Sequence, residues 1–505
     1  MLNIKDSIVR VPFLIKGRLV IPPEISRSQI EAAFNQAGET ATYIQTAGAQ
    51  VVREPVIDRA AMRYTGEFVY QVMPPVTGKE LIESDTVSLA EELYSLSVDD
   101  ILDYLEAVLD MLTGNAGISL RTAEIYRMTS EYPVAMLEEM FTSLLTSFDR
   151  EAARQMIDRE LSFAGKPGID FLNGWVEIPQ KNSGIGTKTM VRAMPTRQLH
   201  ITAGNAPEVP VISALRAILT KSAAVIKLPY GAILSGALVA MAAAAIPDHP
   251  ISRNLSIVHW QGGDEKIENA LFTPGAFDRI VVWGSPETVA AVQSRALFTK
   301  IICLNPRYGI SLIGEEAFSS NLEDVAAKAA ADVMIYNQKA CTSSLVHYIE
   351  GTAKQAGEYA EVLCRKLSEW DVQMPNFVSP VAAGQIKRMR RGKYAGAAWH
   401  INTRNDNFSS GVAVIQNDFD ILDHPACRLA IVRPVEKLED ALKYVNPYVS
   451  AAGVYPEERR LKLRDRILAG GVSSVLPLGE CGRVYAGMPH DGMLVLNQMV
   501  DWKNA

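Results

Sequence analysis

Apolar and polar positions follow two rhythms along this chain, and the changes between them divide it. In residues 1–90, short β-rich pieces (Val9 to Ile15, Ala49 to Glu54, Glu67 to Met73) are punctuated by Pro22-Pro23 and Pro74-Pro75, which predicts an N-terminal β-rich extension. From Ser88 to Glu160 apolar residues recur every three or four positions, as in Ile101, Leu105, Val108 and Leu112, the period of amphipathic helices. Ser97 ahead of Asp99 and Asp100 marks one helix start. Two extended runs, Gly174 to Pro179 and Lys188 to Met194, flank Asn182-Ser-Gly-Ile-Gly and read as a hairpin arm within 172–194. The most regular stretch follows. Strand-like Gln198 to Thr202, Ala223 to Leu228, Leu255 to Trp260, Arg279 to Trp283 and Lys300 to Cys303 are separated by helix-like segments. This is the pattern of consecutive βαβ units and a doubly wound parallel sheet. A second α/β region runs over 306–478, with strands at Ile310 to Ile313, Leu345 to Ile349, Gly411 to Gln416 and Ala430 to Pro434. The terminal Gly492-Met-Leu-Val-Leu-Asn-Gln-Met-Val predicts a strand in a C-terminal return over 479–505.

Composition narrows the function classes. The 505 residues carry 50 Lys+Arg against 57 Asp+Glu, a net charge of −7, and 48% are apolar, enough chain for two to four domains with large cores. With 34 Gly and 26 Pro the chain is neither collagen-like nor disordered. Phosphate binding needs concentrated positive charge, and only Lys387 to Lys393 is basic, which argues against nucleic acid as a partner. The most apolar run, Ala232 to Pro247, has 16 residues, short of the ~20 a bilayer requires, so a buried helix and no membrane span are expected. The N-terminal residues show no secretion-signal pattern, so none is expected, and five widely spaced cysteines without a CxxC pair suit a reducing, cytoplasmic setting. Seven histidines without HxxxH or HExxH spacing predict no metal site.

A doubly wound sheet binds ligands at the carboxyl ends of its strands, where the chemistry is sought. No strand is followed by GxGxxG. After the first come Thr202-Ala-Gly-Asn-Ala-Pro, where small Ala203, Gly204 and Ala206 leave room around Asn205. Its amide suits an oxyanion donor, and equally a helix N-cap. Lys227 ends the second strand, placed to bind ribose hydroxyls or phosphate, or simply to face solvent. Gly284-Ser285-Pro286 ends the fourth, suited to a close backbone approach and a phosphate at a helix N-terminus, or to a plain helix start. Cys341, among polar and small residues in Tyr336-Asn-Gln-Lys-Ala-Cys-Thr-Ser-Ser, is the best nucleophile candidate; Cys303 reads as a core thiol and Cys364 sits on a helix.

The ordered set Gly-Asn-x-Pro, Val-Ile-Lys, Gly-Ser and Asn-Gln-x-x-Cys resembles the aldehyde dehydrogenase superfamily over roughly Gln198 to Tyr455. The resemblance implies an oxyanion role for Asn205, an adenosine-ribose contact for Lys227, a pyrophosphate site at Gly284 and Ser285, cofactor contacts at Thr202 and Ala203, and a nucleophilic Cys341. It also implies a nicotinamide-cofactor domain over 91–305, a catalytic domain over 306–478, β arms and a homo-oligomer. Two departures are informative. The water-activating Glu after the fifth strand is replaced by Ile302-Cys-Leu-Asn-Pro306, and the second family Glu falls near His424-Pro-Ala-Cys-Arg428, without an acid.

The stretches Gly204-Asn-Ala-Pro-Glu-Val-Pro210 and Asn337-Gln-Lys-Ala-Cys-Thr-Ser-Ser344 in particular are similar to the acyl-CoA reductases of the bacterial bioluminescence (LuxC) type. That similarity implies NADPH-dependent reduction of a fatty acyl-CoA or acyl-protein thioester to the aldehyde, with coenzyme A as leaving group. It further implies attack by a Cys341 thiolate, and an acyl-protein synthetase as one source of the acyl group. Two readings stand beside it. One is a CoA-acylating aldehyde dehydrogenase for short or aromatic acyl groups using NADH. The other is a nucleotide-binding subunit that docks partners.

Overall fold

The computed structural model describes residues 4–5, 7–114, 116–179, 188–319, 321–483 and 485–505. The βαβ rhythm builds the expected sheet. Its strands lie in the order Lys300–Leu304, Arg279–Trp283, Arg197–Ile201, Ala223–Lys227, Leu255–Val258, and these five are parallel. In chain order this is 5-4-1-2-3, with the topological switch between the first and fourth strands. Leu255–Val258 is buried along its whole length, flanked by a strand on each side and packed against the helix Ile233–Ala244. The helix Ile233–Ala244, from the Ala-rich run, is buried nearly all round. No helix among the described residues is long and apolar enough to cross a membrane.

Residues 1–90 do not stand apart. Phe13–Ile15 pairs antiparallel with Leu255–Val258, and Arg18–Val20 closes the same seven-stranded sheet at its edge. The rest of this region forms a five-stranded sheet and includes a helix, Arg27–Ala37, with a Ser26/Gln29 capping box.

The second region forms another seven-stranded sheet in the order Ala398–Arg404, Asn407–Val414, Leu429–Val435, Ser344–Glu350, Tyr308–Ile313, Val449–Tyr455, Ser474–Pro477. All neighbours are parallel except the Ala398–Arg404/Asn407–Val414 hairpin. Val176–Pro179 pairs antiparallel with Lys188–Met194, as the hairpin signal predicts, while the turn at Asn182 lies outside the described residues.

The C-terminal expectation needs correction. Val495–Met499 is a helix, and the strand is Asp501–Asn504, which joins the hairpin arm. Val495, Leu496, Met499 and Val500 are all buried, and a short apolar run with no exposed face carries no period to separate strand from helix.

Candidate active site

The Asn205 loop, after the strand Arg197–Ile201 of the first sheet, meets the Cys341 loop, before the strand Ser344–Glu350 of the second, at a seam, while Thr202, Lys227, Gly284 and Ser285 lie at strand ends of the first sheet. Thr202 ties two strand ends together, its Oγ1 donating to the Lys227 carbonyl at 2.6 Å. Gly204 follows because the loop runs against the next one; a Cβ there would sit 1.9 Å from the Tyr230 carbonyl oxygen. Asn205 is exposed and does not cap the following helix: the N-cap of Glu208–Leu219 is Pro207, without a side-chain bond. Instead its Nδ2 donates across the seam to the Lys339 carbonyl at 3.3 Å, two residues before Cys341, and its own carbonyl accepts from the Tyr132 hydroxyl.

Lys227 is not a solvated strand end. Its Nζ lies 5.4 Å from the centroid of the fully buried Trp260, and burial lowers its pKa to about 8, partly offset by Glu268. Among the described residues its ammonium makes no hydrogen bond or ion pair, and it faces the Trp260 ring. Ser285 does what a helix start demands: it caps Pro286–Arg295, accepting from the Thr288 amide at 3.4 Å. Anything held beside Gly284 and Ser285 therefore meets backbone and helix terminus first. Tyr230 turns toward the N-terminal region, its hydroxyl donating to the Arg53 carbonyl at 3.1 Å.

Cys341 lies in the turn between Ile335–Gln338 and the strand Ser344–Glu350, partly exposed. Three residues just before it, Tyr336, Asn337 and Gln338, have φ of 44°, 54° and 65°. Such left-handed backbone is costly for non-glycine residues and persists only when its surroundings enforce it. Here they do. Asn337 donates to Asn376 Oδ1 at 2.8 Å and accepts from the fully buried Arg428 at 2.6 Å. Gln338 donates to the Ser344 and Leu429 carbonyls and accepts from the Leu429 amide. Arg428 also binds Asp371, near the end of the helix Ala353–Gln373, and itself closes a second left-handed run, Ala426 to Arg428. Gly309 completes the clamp: its amide donates to the Ser343 carbonyl, and a Cβ would fall 2.2 Å from the Thr342 carbonyl oxygen.

The thiol departs from the thiolate expectation. Burial, then the charge of Asp491, push its pKa up to about 11, against smaller opposing effects that include a hydrogen bond with Ser450 and the charge of Arg307. The resting group at neutral pH is therefore S–H. Glu208, in the first turn of its helix, is also unusual. Burial raises its pKa to about 7, while the Tyr336 hydroxyl donates to it at 3.1 Å. Ser450, Asp491 and Arg307 carry no motif and were not anticipated; Glu208 and Arg428 lie within stretches that the resemblance singles out, but without a role assigned to them. Asp491-Gly492 was visible only as a generic turn signal.

If Asn205 stabilises an oxyanion, Asn205→Ala is expected to lower kcat by roughly 10²–10³ while leaving the fold intact, since the residue is exposed and caps nothing. Stopped-flow turnover together with a thermal melt checks both halves; an unchanged kcat removes Asn205 from the chemistry.

A family model for acyl-CoA reductase (LuxC) matches residues 93–502. A long-chain acyl-protein thioester reductase of Vibrio harveyi is 27% identical over 326 residues, covering 61% of this chain and 64% of that protein, so the aligned part spans less than two thirds of that relative. A protein of the same description from Photobacterium phosphoreum is 24% identical over 456 residues, covering 86% and 85%. Among solved structures, an aldehyde dehydrogenase of Brucella melitensis biovar abortus 2308 superposes with a TM-score of 0.70 at 15% identity, over 100% and 99% of the two chains. The NADP-dependent glyceraldehyde-3-phosphate dehydrogenase of Bacillus halodurans C-125, complexed with NADP, gives 0.69 at 14% identity over 98% of each. The fold is that of the aldehyde dehydrogenases, and the chain belongs to the acyl-CoA reductase (LuxC) family.

Proposed function

We propose that this protein reduces a long-chain acyl thioester, carried by coenzyme A or by a partner protein, to the fatty aldehyde through an acyl group held on Cys341. One observation carries the reading: the Asn205 amide reaches the loop of Cys341 across the seam, uniting an oxyanion donor and a nucleophile from different sheets. Cys341 attacks the thioester carbonyl; the oxyanion is met by Asn205 and the Cys341 backbone amide; the carrier thiol leaves. A nicotinamide cofactor, when bound, supplies the hydride. Lys227, Thr202, Ala203, Gly284 and Ser285 would hold it, and the ammonium of Lys227 at the carboxyl edge of the sheet fits that task. Tyr230, where related dehydrogenases often carry Glu, removes a repulsion toward a 2′-phosphate and so admits NADPH as well as NADH.

Two further features support a long acyl chain and a reductive outcome. A cavity of about 310 Å³ is lined by Met136, Met140, Met334, Met374 and Trp370, with Glu139 and Ser143 also on its wall and Tyr336, five residues before Cys341, among its lining. Flexible thioethers form a yielding apolar wall suited to a hydrocarbon chain. Neither 302–306 nor 424–428 offers a carboxylate to activate water.

The test is intact-mass analysis after mixing the protein with acyl-CoAs from acetyl to stearoyl, then adding NADPH. Long chains are expected to leave one acyl mass on Cys341, discharged as aldehyde by NADPH. No adduct with any thioester, or discharge as acid at the same rate without NADPH, overturns the reading. Preferential loading by short or aromatic chains with NADH favours the acylating dehydrogenase instead.

A further inference from the structure

Cys341 begins as a thiol, so its proton must go somewhere when sulfur attacks carbon, and 302–306 and 424–428, where the hydrolytic aldehyde dehydrogenases are expected to carry glutamates, hold none. Ser450 and Asp491 stand in the place of such a group. Ser450 is the extra residue of a β-bulge: Tyr308 pairs with Val449 and Gly309 with Ala451, leaving Ser450 without an opposite number. Bulges of this kind re-aim a side chain, commonly beside active sites. The buried Ser450 hydroxyl donates to Asp491 Oδ1 at 3.2 Å, and both residues act on the Cys341 thiol, Ser450 lowering its pKa and Asp491 raising it. Asp491 is itself nearly buried and comes from a turn in which His490 and Met493 exchange both backbone hydrogen bonds. With φ of 51° at Asp491 and 78° at Gly492 this is the Asp-Gly hairpin turn.

The charged groups around the carboxylate are accounted for. Arg307 lies 3.5 Å from Oδ1, and Arg216 acts from further off while donating to His490 Nδ1 at 3.1 Å. His490 is held neutral by burial, its pKa near 3. Arg307 and Arg216 keep Asp491 within reach of ionisation, while burial raises its affinity for a proton.

We propose that Ser450 and Asp491 form a proton relay that takes the Cys341 proton during acylation and returns it when the aldehyde leaves. This rests on Cys341 being the nucleophile. As the S–C bond forms, the thiol proton passes to Ser450 Oγ and the Ser450 proton to Asp491, while the carbonyl electron pair moves onto oxygen. The oxyanion then re-forms the carbonyl and expels the carrier thiolate, which takes a proton from solvent. Asp491 keeps its proton through the life of the acyl-enzyme. After hydride addition, the second alkoxide re-forms C=O as aldehyde, the Cys341–carbon bond breaks, and the sulfur recovers its proton from Asp491 through Ser450.

Alkylation of Cys341 by iodoacetamide at pH 7.5, followed by peptide mass mapping, tests the relay without any acyl substrate. Asp491→Asn is the informative variant, because Asn-Gly keeps the turn while losing the proton acceptor. Removing a negative charge near a thiol by itself eases ionisation and speeds alkylation, so the sign of the change decides. The relay predicts that Asp491→Asn and Ser450→Ala each slow alkylation on the order of 10²-fold, with the double variant no slower than either single one. It also predicts that Asp491→Asn loses the acid-side step of the native pH profile. Faster or unchanged alkylation in Asp491→Asn, with an unaltered thermal melt, overturns it. Slowed alkylation in a protein that no acyl thioester will load leaves the relay standing and sinks the proposed substrate.

Discussion

Cys341→Ala is expected to abolish both the acyl adduct and the aldehyde-forming turnover, lowering the rate by roughly 10⁴-fold or more, since losing a covalent nucleophile removes the whole two-step path. The change deletes one atom in a partly exposed turn whose geometry is set by Asn337, Gln338 and Arg428, so stability should move by less than about 1 kcal/mol. Nicotinamide affinity should persist, because Lys227 and the strand ends around it do not depend on the sulfur. Cofactor fluorescence titration, a melt and a progress curve on one preparation read all three quantities. A variant that still reduces acyl-CoA at the parent rate would show that another group carries the acyl chain. Among the other cysteines, Cys364, Cys427 and Cys481 are buried, and Cys303 lies on the strand Lys300–Leu304.

The second large effect is expected at a residue that need never meet substrate. Arg428→Ala leaves Asp371 buried without its cation and Asn337 without its donor, and breaking a buried ion pair in this way costs about 3–5 kcal/mol. The urea unfolding midpoint should fall accordingly. Because the lost bond also enforces the left-handed turn before Cys341, activity should fall further than stability alone explains at temperatures where the variant is folded. Arg428→Met with Asp371→Leu separates the two effects. Replacing both charges by apolar groups of similar size is often neutral or stabilising, so much of the stability should return while the turn remains unheld. Full activity in that double variant would show that the turn needs no clamp.

The strand rhythm from Gln198 to Cys303 was legible because a strand buried on both faces and a helix buried on one differ in period, and each is long enough to show it. Asn205, Lys227, Gly284 and Cys341 could be singled out for a related reason: ligand chemistry in such sheets clusters at strand ends, and each motif is contiguous. Where alternatives stayed open, local hydrogen bonds closed them differently at different places. Ser285 is a helix cap; Asn205 is not, because Pro207 opens the helix and the amide is free to cross the seam. The run Gly492 to Val500 misled because its apolar residues were too few to reveal a period.

Ser450, Asp491, Arg307 and Arg428 belong to a different kind of information. Each is ordinary in its own neighbourhood: a serine in a strand, an acid in a turn, two arginines in loops. They acquire meaning from the meeting of segments that the chain keeps far apart, since a thiol's acidity depends on the charges and burial around it in space. Local pattern therefore decided most of the elements that form and the strand ends at which a ligand is expected. The protonation state of the sulfur, the strain held in its turn and the identity of its neighbours arise from packing, because Coulomb interactions and desolvation act through distance and not through sequence separation.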